Sequence, residues 1–154
     1  MFREMRREDR AVPDDVTREI LAESEYGTLA TVNTDGYPYT TPVSFVWFGD
    51  CIYFHCARQG QKLDNIMRDG RVCFSAVTDT QVLPGELTTR YKSAVVFGSA
   101  ELVDGDEKRI ALVQLVQKYS PQFLAEGKKC ITQTGGDTAM VRITPTHITG
   151  KAYT

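Results

Sequence analysis

Ile52-Tyr53-Phe54-His55-Cys56-Ala57-Arg58-Gln59-Gly60-Gln61-Lys62-Leu63 opens as a β-type run of branched and aromatic side chains and passes through a glycine turn into helical spacing. Successive side chains on a strand take opposite faces, so Ile52, Phe54 and Cys56 share an apolar face while Tyr53 and His55 share the other. Such an apolar face fills a barrel interior. A helix beginning near Gly60 directs unpaired backbone N–H groups and the positive end of its dipole to the place where Arg58 and Lys62 also stand. The expected occupant of that turn is an anion, and the pattern reads as a phosphate grip.

Toward the N-terminus, Gly49-Asp50 is a tight turn that joins this strand to another expected over residues 39–48. Pro42 cannot donate to a ladder and marks an edge, a bulge or a gap there. Asn33-Thr34-Asp35-Gly36 carries the Asp-Gly chemistry of a hairpin and links back to a strand over 27–33. Pro13-Asp14-Asp15 starts a short helix on which Val16, Ile20 and Leu21 recur at helical spacing.

Toward the C-terminus, Leu63, Ile66 and Met67 form one side of a short helix that Gly70 ends. Strands are expected over 71–77, 92–103 and 138–148, with loops over 81–90 and 126–137. Between them, Asp104-Gly105-Asp106 caps the longest helix, marked by Ile110, Val113 and Val116 and ended by Ser120-Pro121. Five or six strands joined mainly by hairpins give a mainly β fold with flanking helices, an antiparallel barrel rather than a parallel α/β sheet. Thr134-Gly135-Gly136-Asp137 precedes a strand and so lacks the context of a dinucleotide loop.

At 154 residues, 42% hydrophobic and 25% charged, the chain reads as one domain, residues 1–154, with 1–12 as a charged arm. Arg3, Arg6, Arg7 and Arg10 alternate there with Glu4, Glu8 and Asp9, which reads as a self-paired solvated arm. A net charge of -2 argues against nucleic acid as a partner. No apolar run approaches the ~20 residues that span a bilayer, and charges stand where a signal peptide would have its apolar core, so the expected location is cytoplasmic. Cys51, Cys56, Cys73 and Cys130 lack the spacing of a zinc site or a disulfide scaffold and read as free thiols, with no metal. Phe45, Trp47 and Phe48 read as core, and His147, Arg68 and Arg71 receive no functional role.

Arg6-Arg7-Glu8-Asp9-Arg10, Gly27-Thr28-Leu29-Ala30-Thr31, Tyr37-Pro38-Tyr39-Thr40-Thr41-Pro42-Val43-Ser44-Phe45, Ile52-Tyr53-Phe54-His55-Cys56-Ala57, Gly60-Gln61-Lys62, Val72-Cys73-Phe74, Tyr91-Lys92-Ser93-Ala94-Val95-Val96-Phe97-Gly98 and Thr149-Gly150-Lys151 follow one another over nearly the whole chain. In that order they resemble the nitroimidazole-resistance (Nim-type) branch of the pyridoxamine 5'-phosphate oxidase-like flavoproteins.

The resemblance implies a six-stranded antiparallel split β-barrel, the FMN-binding split barrel. It implies a homodimer with two FMN sites, each built from both subunits. The flavin phosphate would lie at Arg58, Gly60 and Lys62, and the ring system along Thr41, Pro42, Val43 and Ser44. Lys92 and Ser93 would reach the cofactor of the partner subunit, with Lys151 a weaker candidate, and the arm would pack on the dimer. His55 would lie close to the flavin, able to orient or protonate a substrate. The implied activity is an FMN-dependent oxidoreductase that takes electrons from NADH or NADPH and passes them to a small acceptor, such as a nitroaromatic. The alternative is a non-catalytic protein that holds FMN, haem or a deazaflavin for storage, sensing or delivery.

Overall fold

A computed structural model describes residues 1–154. The chain forms one antiparallel sheet of eight strands: β1 (Ala11–Val12), β2 (Gly27–Val32), β3 (Pro38–Val43), β4 (Val46–Phe48), β5 (Cys51–Ala57), β6 (Arg71–Leu83), β7 (Thr88–Val103) and β8 (Thr138–Tyr153). Four helices flank it: α1 (Asp14–Glu23), α2 (Gln61–Arg68), α3 (Gly105–Tyr119) and α4 (Leu124–Thr134). No helix is long and apolar enough to cross a membrane.

The strand order is β3-β2-β6-β7-β8-β5-β4, with β1 paired to β8 off that path. β3 and β4 therefore stand at opposite ends of the sheet, although Val43 and Val46 are three residues apart in the chain. Three Cα steps span at most about 11 Å, so the sheet must curl until its two ends meet. No ladder joins them, which makes the barrel split rather than closed.

The interior is apolar because alternate residues of each strand face it. Phe45, Phe54, Phe74, Leu29, Ile52, Val96, Val141 and Ile143 are fully buried there. Phe45 and Phe74 meet edge to face at 4.8 Å, an arrangement that ring quadrupoles favour. α1 adds Ile20 and Leu21 to this core. A second cluster joins Tyr53, Val46 and Met140 to Ala111, Leu112 and Leu115 of α3 on the other face of the sheet. There Tyr53 donates to Glu107 at 2.9 Å. Burial first, and Glu107 second, push its phenol up to about 12.

Three expectations are corrected. The strand read over 39–48 is two strands, β3 and β4, and together with β1 this gives eight strands where six were expected. It breaks at Phe45, whose N–H donates to Tyr119 Oη at 2.9 Å and whose carbonyl accepts from Lys118 at 2.8 Å. The loop read over 81–90 is instead the end of a long β6–β7 hairpin, turning at Pro84–Glu86. Its alternation was hidden because this ribbon is largely exposed. The loop read over 126–137 is mostly α4, which buries none of its residues fully and so displays no apolar stripe.

Candidate functional site

α2 follows β5 after a three-residue turn, and Gly60 at its start has φ 142° and ψ 161°. Only glycine takes such a conformation without strain. Space is open for at least 4 Å around the position where a Cβ would stand, so the turn into α2 is unobstructed at Gly60. Leu63 and Ile66 anchor the helix in the core, which leaves Gln61 and Lys62 at its mouth.

That mouth opens on a cleft of about 160 Å³ whose walls include Tyr39 and Thr41 from β3, Cys56 from β5, and Gly60, Gln61 and Lys62. Lys62 Nζ stands 5.9 Å from the centre of the Phe54 ring. Burial pushes the Cys56 thiol up, and the nearby Lys62 charge opposes the shift. Thr41 Oγ1 is buried and has no hydrogen-bond partner. A buried hydroxyl left unpaired costs about 1–3 kcal/mol, so its position in the cleft wall fits a site that offers a donor or acceptor to something bound. A cationic ammonium, free helix amides and an unsatisfied hydroxyl together make a seat for a phosphate or another oxyanion.

The structure gathers some of the residues expected at a cofactor site and separates others. Thr41, Gly60 and Lys62 share the cleft. Val43 faces the core, whereas Pro42 and Ser44 are exposed, as alternation along β3 requires. Pro42 does lie on an edge strand, since β3 pairs only with β2. Arg58 turns away from the cleft and donates through Nε to the Gly136 carbonyl at 2.8 Å.

Lys92 is paired with Asp79 at 2.7 Å. Ser93 instead lines a second depression, of about 290 Å³, with Tyr91, Phe97, His147 and Lys151. The N-terminal arm lies over this depression, where Phe2 stacks on His147 at 4.7 Å and 3°. His55 alternates with Cys56 and is absent from the cleft walls. Crowding by neighbouring atoms lowers its imidazole below the ordinary histidine value.

Two features in or behind the cleft had no strong sequence signal. Cys56 lines it because it shares a β5 face with Phe54, a parity visible in the sequence although its consequence was not. Asn65 is a buried amide within α2, and nothing in the spacing of the chain distinguishes it from a solvated helix residue.

The sequence profile of the pyridoxamine 5'-phosphate oxidase family matches residues 13–152. No curated protein matches the chain. Among solved structures, a conserved hypothetical protein from Mycobacterium tuberculosis is similar with a TM-score of 0.82 at 23% identity, over 97% of this chain and 90% of that one. A putative 5-nitroimidazole antibiotic resistance protein from Bacteroides thetaiotaomicron aligns with a TM-score of 0.73 at 19% identity, over 92% and 85%. An FAD and haem binding protein from Mycobacterium smegmatis aligns with a TM-score of 0.81 at 22% identity, over 94% of this chain and 73% of that chain.

Proposed function

The chain belongs to the pyridoxamine 5'-phosphate oxidase family, and from that premise we propose that it is an FMN-dependent oxidoreductase whose flavin phosphate sits at the start of α2. The observation that carries the reading is the cleft where the unpaired Thr41 hydroxyl, the open Gly60 turn and Lys62 converge. Lys62 would neutralise the phosphate and the first amides of α2 would donate to it. Thr41 would complete its hydrogen bonding against the ligand. The chemistry supplied by bound FMN is two-electron transfer, from a reduced nicotinamide to a small acceptor such as a nitroaromatic.

A volume of about 160 Å³ lies below the ~300–1,000 Å³ usual for small-molecule sites. The cleft of one chain therefore accommodates the phosphate-bearing end of a flavin and needs another surface to enclose the rest. A second copy of the chain supplies it in this reading. Ser93 and Lys151 on the outer face of β7 and β8 are the residues it would bring, along with exposed Val77 and Phe97. Four free cysteines suit a reducing compartment such as the cytoplasm.

One observation favours a second reading, a flavin- or haem-binding protein without turnover. Neither an imidazole nor a carboxylate lines the cleft, and His55 stands on the other face of β5, so proton delivery has no group within that cleft other than Tyr39, Cys56 and Lys62. The visible spectrum of protein purified without added cofactor, followed by anaerobic NADH and NADPH, separates the two. A flavin spectrum that bleaches supports the oxidoreductase, and one that persists supports the carrier. A Soret band identifies haem, and a colourless protein that takes up no FMN defeats both.

A further inference from the structure

The geometry points to Asn65 as a positioning residue that sets the distance between the two walls of the cleft. The inference takes its ligand from the flavin-phosphate reading above, whereas its geometry is independent of it. Asn65 is 3% exposed. Its Nδ2 donates to Thr31 Oγ1 at 3.0 Å and to Asn33 Oδ1 at 2.8 Å, and its Oδ1 accepts from Arg68 at 3.4 Å. The same Asn33 oxygen accepts from Gln61 Nε2 at 2.8 Å. Arg68 also donates to the Val32 carbonyl. Gln61, Asn65 and Arg68 thus tie both ends and the middle of α2 to three consecutive residues, Thr31, Val32 and Asn33.

The chain of contacts then reaches β3. Thr31 Oγ1 donates onward to the Tyr39 carbonyl at 3.5 Å, and Thr31 and Tyr39 are register partners on β2 and β3. Tyr39, from β3, and Gln61, from α2, both line that opening. Apolar packing of Leu63 and Ile66 holds α2 against the sheet, but that force is non-directional and tolerates sliding and rotation. Hydrogen bonds weaken steeply with angle, so the amide ties are what fix where Lys62 and the first helix amides stand relative to Thr41. An amide is suited to the position because one nitrogen supplies both donors while the oxygen still accepts from Arg68.

The test compares Asn65→Leu, Thr31→Val and Asn33→Ala with Met67→Ala, an exposed residue of the same helix. FMN affinity is titrated by flavin fluorescence, and amide hydrogen exchange is followed in the ligand-free proteins. Asn65→Leu and Asn33→Ala are expected to weaken FMN binding tenfold or more and to speed exchange within α2 while the sheet stays protected. Met67→Ala should change neither. Asn33 lies half-buried at a turn, so its variant tests the tie even if Asn65→Leu does not fold.

Wild-type affinity in Asn33→Ala and Asn65→Leu overturns the inference. So does exchange that rises equally across the sheet, since Asn65 would then serve stability in general. If the wild type itself takes up no FMN, the flavin reading fails and exchange decides alone: a rise confined to α2 upholds the positioning role, and unchanged exchange ends it.

Discussion

Lys118 Nζ donates to the Phe45 carbonyl at 2.8 Å and to the Ser24 carbonyl at 2.7 Å, which places the end of α3 at the break between β3 and β4. The ammonium also sits 4.0 Å over the Phe45 ring. Two carbonyls and a ring face favour the charged form, but burial opposes it and lowers the group to about 8. The unfolded chain therefore binds more protons than the folded one between about pH 8 and 10.5. Over that window Lys118 is expected to contribute stability that rises with pH, against an opposite contribution from the Cys56 and Cys73 thiols and the Tyr53 phenol, which burial pushes up. Urea unfolding at pH 7.5, 9 and 10.5 checks this; a slope that survives in Lys118→Met would assign it to another group.

Lys62→Ala should weaken FMN retention by removing a charge-assisted contact worth about 1.5–3 kcal/mol, or roughly 10- to 150-fold in Kd. Equilibrium dialysis against free FMN measures the change. Affinity equal to wild type would reject the phosphate role of Lys62.

Thr41→Val should separate stability from binding. Removing an unpaired buried hydroxyl while keeping its shape is expected to stabilise the ligand-free protein by about 1 kcal/mol, a Tm rise of roughly 2–4 °C. The same variant should bind FMN less tightly. A lower Tm without ligand would mean that the hydroxyl is already satisfied within the chain.

Gly27→Ala should destabilise the barrel. A Cβ there would stand 2.0 Å from Phe74 Cζ, and that ring is fully buried against Phe45. Overpacking of this kind costs about 1–3 kcal/mol. A denaturant midpoint unchanged from wild type would show that Phe74 can move aside.

Parity and turn chemistry made much of the architecture readable. Asp35-Gly36 gave the β2–β3 hairpin, Gly49-Asp50 gave the β4–β5 hairpin, and alternation gave the inward face of Ile52 and Phe54. That Gly60 and Lys62 stand together was readable where turn, helix start and charge coincide, and both line the candidate cleft. Arg58 carries the same charge in the same turn, yet its direction depends on the Gly136 carbonyl, a partner 78 residues away. Lys92 is claimed in the same manner by Asp79. Long-range polar partners leave no periodic trace in a sequence, which is why the break at Phe45 and the Asn65 ties emerge only from the fold.

β5 has just two sheet neighbours, β4 and β8. As the chain leaves the ribosome, residues 46–57 can form a lone two-stranded ribbon, but their outer edge has no partner until residues 138–143 have been made. Such an isolated ribbon is marginal in water, and Ile52 and Phe54 would remain wettable throughout that interval. The β5 wall of the cleft therefore completes its sheet pairing only once β8 has been made, and until then its apolar face is open to aggregation.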